Sequence, residues 1–193
     1  MLHVFSDHMQ TESALTAAMR TARLVLSLAG ATMRHAQQAA RALGSEENLL
    51  DASATSLREA GFGKGLVGRV LSLRENNSHR DLQDNVAKRG GEVIVYGEER
   101  YPSRLRAIPD APAALYVRGS LPPDSQPVVA IIGSRRCTPE GLRFALETGE
   151  DLSLGGVAIV SGLARGIDAA ALSGCLRRTA PAVGVLGSGL DFV

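Results

Sequence analysis

The chain has 193 residues, 45% of them hydrophobic and 21% charged, with a formal net charge of +1 at pH 7. No apolar run approaches the roughly 20 residues that cross a bilayer, so no membrane span is expected. Charge is slightly positive before residue 90 and slightly negative after it, so bulk charge would not bind a polyanion and a local cluster of arginine and backbone N–H groups would have to.

The first residues, MLHVFSDHMQTE, lack the basic and apolar regions of a secretory signal, and a cytoplasmic location is expected. Cys137 and Cys175 have neither C-x-x-C spacing nor a nearby histidine cluster, which predicts two free thiols and no zinc site. From about Thr11 to Asn76, apolar residues recur at helical spacing, as in Leu15, Met19, Ala22 and Leu26, then Ala36, Ala39, Ala40 and Leu43. Gly30, Gly44, Gly61, Gly63 and Gly65 divide this stretch, which predicts four or five short helices. Ser56 to Arg69 reads as helix, glycine-rich turn and helix, the pattern of helix-hairpin-helix modules whose turn N–H groups can touch phosphate. Its glycines also suit helix capping and close helix packing, and that is the first expectation for them.

Arg74 to Arg89 is polar and reads as a seam with a short helix ending at Gly90-Gly91. Short β-rich runs at Glu92–Tyr96 and Leu115–Val117 flank a helical turn after Tyr101-Pro102, with prolines marking the loops. The expected organisation is therefore a helical domain over residues 1–90, a connecting β and loop segment over 91–127, and an α/β portion over 128–193.

That last portion carries the chemistry. Val128 to Ile132 is a continuous apolar run, the pattern of a strand buried on both faces of a parallel sheet. After the loop Gly133-Ser134-Arg135-Arg136-Cys137, Thr138 is the expected N-cap of a helix with Pro139 at its first position. A second strand at Val157–Val160, the loop Ser161-Gly-Leu-Ala-Arg-Gly166 and a helix from Ile167 to about Arg178 repeat the unit. A third strand, Ala182–Leu186, leads into Gly187-Ser-Gly-Leu-Asp191. Helical crossovers make such strands parallel, so the three Gly/Ser loops share the carboxyl edge, where open α/β folds bind ligands and helix N-termini favour anions. Ser134, Ser161 and Ser188 can donate hydroxyls there, and Arg135 or Arg136, with Arg165, can add bidentate contacts to phosphate. Asp168 reads either as a carboxylate at a helix N-terminus or as an acceptor for a ligand hydroxyl or base. No P-loop is present, the glycines near residue 187 have no helix after them to complete a dinucleotide fingerprint, and no catalytic triad can be assembled. No cofactor is expected.

Three segments, Val129-Ala-Ile-Ile-Gly-Ser-Arg135, Val160-Ser-Gly-Leu-Ala-Arg-Gly-Ile-Asp168 and Val185-Leu-Gly-Ser-Gly-Leu-Asp191, together resemble the DNA-processing protein A family, also called DprA or Smf, in order and spacing. The resemblance extends through Tyr101–Leu105 and Ala111–Gly119 and, more loosely, through the helical segment. It implies a single-stranded DNA-binding protein of natural transformation that protects incoming DNA and promotes RecA loading, without nucleotide hydrolysis and commonly as a homodimer. It implies that Gly133, Ser134, Arg135, Ser161, Gly162, Gly166 and Asp168 line the DNA pocket, with Arg135 the main phosphate contact; Arg165 and Gly187 complete the candidate set. Leu172 stands where the family usually has a histidine, and Glu140 where it usually has an aromatic residue. The family continues with further strands and an Arg-Asn-Arg motif, so the expected fold is an incomplete Rossmann-like parallel sheet, cut short, behind a small helical domain like the SAM or helix-hairpin-helix type. The alternatives are an enzyme similar to the nucleoside-monophosphate phosphoribohydrolases, and a truncated remnant without function.

Overall fold

A computed structural model describes residues 15–189. The opening MLHVFSDHMQTE segment, with His3 and His8, and the Leu190-Asp191 end of the third motif lie outside the described residues. Among those described, no helix is long and apolar enough to cross a membrane. The chain divides into two compact units, each built from separate stretches.

The first unit runs to His79 and takes in Val95–Tyr101 and Pro109–Ala114. It holds α1 (Ala17–Leu28), α2 (Met33–Leu43), a 3-10 turn (Glu47–Leu50), α3 (Ala54–Glu59) and α4 (Lys64–Glu75). Thr16 caps α1 by accepting the Met19 N–H at 3.0 Å, and Ser53 caps α3 by accepting that of Ser56 at 3.0 Å. Gly30 and Gly61 adopt left-handed φ angles of 70° and 89°. Each is the turn residue of a Schellman motif: Ala31 N–H donates to Leu26 O at 2.8 Å, and Phe62 N–H to Leu57 O at 3.0 Å. The motif's hydrophobic contact is built in as well, since Phe62 and Leu57 are both buried in one core with Leu26, Leu49, Val67 and Val70. Gly61 thus caps a helix as expected, whereas a Cβ on Gly63 would meet nothing within 4 Å, so close helix packing does not require that glycine.

Long-range polar contacts bind the loop stretches into this unit. Arg23 on α1, 8% exposed, holds Glu46 with Nη2–Oε1 at 2.6 Å and donates through Nη1 to the Tyr96 carbonyl at 2.5 Å. Its guanidinium also stacks 5.4 Å from the Tyr96 ring centroid. Gly97 must be glycine here, because its φ is 91° and a Cβ would stand 2.6 Å from Arg23 Nη1. Buried Tyr101 donates its hydroxyl to Pro112 O at 2.8 Å, and Met33 N–H donates to Ala111 O at 2.9 Å.

The second unit comprises Arg80–Ile94, Pro102–Ile108 and the chain from Leu115. It includes α5 (Leu82–Ala87), α6 (Ser103–Arg106), β3 (Val128–Ala130), α7 (Pro139–Leu154), β4 (Ala158–Ser161), α8 (Ile167–Cys175) and β5 (Ala182–Gly184). Strands β1 (Gly91–Val95) and β2 (Ala114–Arg118) pair as a two-stranded sheet. Arg104 donates to the carbonyls of Asp124 and Gln126 at 2.9 and 2.8 Å, fastening α6 to the loop before β3.

The three-stranded sheet is parallel, in the order β3-β4-β5, with Val128 opposite Ala158 and Ile159 opposite Ala182. The mixed α/β class with a Rossmann-like parallel sheet is therefore present. Its strands are shorter than their apolar runs, although Ile131 N–H still donates to Val160 O at 3.0 Å and Val185 N–H to Ser161 O at 2.8 Å past the strand ends. Successive right-handed crossovers to adjacent strands in one direction put both connecting helices on one face. The helices meet there at backbone distance: a Cβ on Gly149 would lie 2.1 Å from Ala171 O, and one on Gly174 2.0 Å from Leu146 O.

One-sided covering corrects the expectation that Val128–Ile132 is buried on both faces. Ile131 packs with Ile159, Leu172 and Cys175, whereas Ile132, pointing the other way by strand alternation, is 76% exposed. Leu142 on α7 is 40% exposed, while Ala145 is buried.

Candidate nucleic-acid interface

Two loops at the carboxyl edge of the sheet form the candidate site, and the sequence makes them fit each other closely. The β3–α7 loop begins at Gly133, where a Cβ would collide with the Ile167 side chain at 2.7 Å. The β4–α8 loop ends at Gly166, whose φ is 92° and whose Cβ would stand 2.2 Å from Ser134 O and 3.0 Å from the Arg135 Cα. These glycines are required by loop-on-loop contact. At Gly133 and Gly166 the space beside the main chain is filled by the neighbouring loop.

The polar groups are similarly engaged. Asp168, 5% exposed in the first turn of α8, accepts the Gly133 N–H through Oδ1 at 3.0 Å and the Gly162 N–H through Oδ2 at 3.1 Å. It ties the ends of two adjacent strands together, a role neither sequence reading of this residue contained. The Ser161 hydroxyl, buried, donates to Ile131 O at 2.5 Å. Ser134 Oγ donates to Arg136 O at 2.9 Å and accepts the Arg136 N–H at 3.0 Å.

The helix N-termini offer less to an anion than expected. At α8, Ile167 N–H donates to Ser134 O at 3.2 Å and Ala169 N–H to Ala164 O at 3.1 Å. At α7, Thr138 is the N-cap and Pro139 the first residue, as expected, and Gly141 N–H is taken by Thr138 Oγ1 at 3.2 Å.

What remains open is guanidinium. Arg135, Arg136 and Arg165 are all exposed, and none of their side chains forms a hydrogen bond or ion pair with another described residue. Contact between the two loops, at Ser134-Arg135 against Gly166, places the backbones of Arg135 and Arg165 side by side at this edge. Gly187 and Ser188 are exposed beyond β5, and Glu140 is an exposed residue of the first α7 turn. Leu172 is buried in the core between α8 and the sheet.

Sequence reasoning did not find Leu163, which holds a left-handed φ of 54° in the β4–α8 loop while 46% exposed. Such a conformation costs a residue with a Cβ about 1–2 kcal/mol, and the leucine side chain rests against Gly184 at 3.3 Å from where a Cβ would sit. No sequence signal marks it, because left-handed positions are usually glycine or asparagine.

Fold and site together define a parallel α/β protein whose carboxyl edge presents free arginines over loops closed by their own hydrogen bonds. The model of the family described as DNA recombination-mediator protein A matches residues 92–193, and the chain belongs to this family, the DprA/Smf family of DNA-processing proteins. Protein Smf of Synechocystis sp. is 35% identical over 152 residues, covering 76% of this chain and 38% of that protein. The DNA processing protein DprA of Streptococcus pneumoniae is 38% identical over 94 residues, covering 49% of this chain and 33% of that protein. The X-ray structure of DNA processing protein A (DprA) from Streptococcus pneumoniae superposes with a TM-score of 0.65 at 26% identity, over 90% of this chain and 59% of that one. The chain thus spans about a third of the length of these curated relatives.

Proposed function

We propose that the chain binds single-stranded DNA along the carboxyl edge of its parallel sheet, holding the sugar-phosphate backbone through Arg135, with Arg136 and Arg165 beside it. In this reading Gly133, Ser134, Ser161, Gly162, Gly166 and Gly187 form the floor of the edge, and Asp168 holds that floor together. The cellular role is to protect incoming DNA in the cytoplasm during natural transformation and to promote loading of RecA. The protein acts by binding, without nucleotide hydrolysis, and pairs as a homodimer.

The observation that carries the reading is the set of three exposed guanidinium groups without described partners at one sheet edge, in a chain of a DNA-processing family. Guanidinium is suited to this work because its fork of donors matches a phosphate and is always charged. Three separate arginines suit a ligand that repeats its phosphates.

Fluorescence anisotropy with a thymidine oligonucleotide tests the reading. Affinity should fall linearly in log salt, and Arg135→Ala should weaken binding and flatten the slope by about 0.7, the value for one lost phosphate contact on a single strand. Absence of binding at low salt would refute DNA binding by this chain. Release of free base from a nucleoside monophosphate would instead favour the phosphoribohydrolase-like alternative.

A further inference from the structure

We infer that Asp168 sets the anion specificity of this edge: its carboxylate occupies the amide donors that would otherwise seat a phosphate, so that polyanions are held by arginine side chains and an isolated phosphate is turned away. The inference builds on the DNA-binding reading only for the identity of the polyanion.

The geometry is that of a phosphate cradle already filled by the protein's own anion. Where α/β edges bind a phosphate, loop glycine amides and the first amides of the following helix converge on it. Here the amides of Gly133 and Gly162 converge on the two oxygens of Asp168, at 3.0 and 3.1 Å. Ile167 and Ala169, in the first turn of α8, donate to Ser134 O and Ala164 O. The hydroxyl of Ser161 is spent on Ile131 O. A phosphate entering these loops would have to displace a carboxylate that is only 5% exposed and would meet its negative charge at close range. A chain of phosphates crossing above the loops meets instead the exposed Arg135, Arg136 and Arg165. Asp168 is thus a positioning residue, acting through the two loops it joins.

Nuclear magnetic resonance on the whole chain tests this, with inorganic phosphate, thymidine monophosphate and a thymidine oligonucleotide as separate titrants. Phosphate and the monophosphate should produce no saturable shift at the Gly133 and Gly162 amides. The oligonucleotide should move the Nε–H resonances of Arg135, Arg136 and Arg165 and leave those two amides in place. Saturable shifts of the glycine amides with inorganic phosphate would overturn the inference. So would oligonucleotide shifts centred on them and not on the arginines.

Failure of the oligonucleotide to bind would count against the DNA reading alone, because the phosphate arm decides the role of Asp168 independently. Asp168→Asn supplies a second arm: it keeps the shape, loses the charge and can accept only one of the two N–H groups. A phosphate displacing the asparagine meets no negative charge, and the Gly133 and Gly162 amides should become phosphate-responsive with about a tenfold gain in affinity, the scale of one hydrogen bond to a charged group. If Asp168→Asn does not fold, the wild-type titrations still decide the matter.

Discussion

The two units solve the problem of burying polar groups differently. In the helical unit, Arg23 and Glu46 form an ion pair with side chains each 9% exposed, and the pair fastens a distant loop stretch through the Tyr96 carbonyl. In the sheet unit, the buried carboxylate among the described residues is Asp168, and it accepts hydrogen bonds from the backbone amides of Gly133 and Gly162. The helical unit uses Arg23 in its own architecture. The sheet unit leaves three arginines exposed at one edge. Charge that is paired and buried gives a unit its shape, and charge held open over a closed floor is available to a ligand.

The largest effect should come from breaking the helical unit's pair. Arg23→Ala leaves Glu46 buried without its partner and removes a donor from Tyr96 O, at a cost of about 3–5 kcal/mol. Native-state hydrogen exchange should show the loss in α1 and in residues 95–101, with protection in β4 and α8 unchanged. The double change Arg23→Met with Glu46→Leu should recover most of the stability, since two apolar side chains of similar volume leave no buried charge behind. If Arg23→Ala cost no more than a surface substitution, the contrast between buried structural arginine and exposed arginine would collapse.

A smaller effect is expected at the helix contact of the sheet unit. Gly174→Ala puts a methyl group 2.0 Å from Leu146 O and 2.9 Å from Glu150 N, so α7 and α8 must move apart. The cost should be about 1–3 kcal/mol, the usual range for overpacking, read as lost protection in α7 and α8 while the helical unit keeps its own. Loss of oligonucleotide binding beyond the loss of folded protein would show that helix spacing also sets the loops.

Much of this architecture is visible in the sequence because it is local. Thr138-Pro139 at a helix start, glycines after helices, and alternating apolar runs and helices are patterns of neighbouring residues, and the parallel sheet follows from them. The incorporation of residues 95–101 and 109–114 into the helical unit is not local. It rests on Arg23 meeting Tyr96, 73 residues away, and on Met33 meeting Ala111. The site divides in the same way. That Arg135 and Arg165 belong to loops at one edge follows from parallel strands. That Asp168 closes the floor depends on a hydrogen bond to Gly133, 35 residues earlier, which no spacing rule encodes. The exposure of Ile132 was hidden for a related reason, since an apolar run does not say on which face its helices lie.

The smallest effect concerns the ion pairs beside the Gly174 contact. Glu150 on α7 binds Arg178 at 2.5 Å and Arg177 at 3.4 Å, both just past the end of α8. The Arg178 hydrogen bond is the chief cause that holds the Glu150 carboxyl below its ordinary pKa. A carboxyl lowered in the folded state stabilises it fully above the unfolded value, about 4.3 for glutamate, and that contribution disappears as pH falls through the lower folded value. Arg178→Ala should therefore reduce stability slightly at neutral pH and hardly at all once Glu150 is protonated in both states. The difference should also shrink at high salt, because the groups are solvated and screened. Urea unfolding of both proteins across the acid range checks this. A difference that widened as pH fell would mean that Arg178 acts on the α7–α8 contact through packing and not through the charge of Glu150.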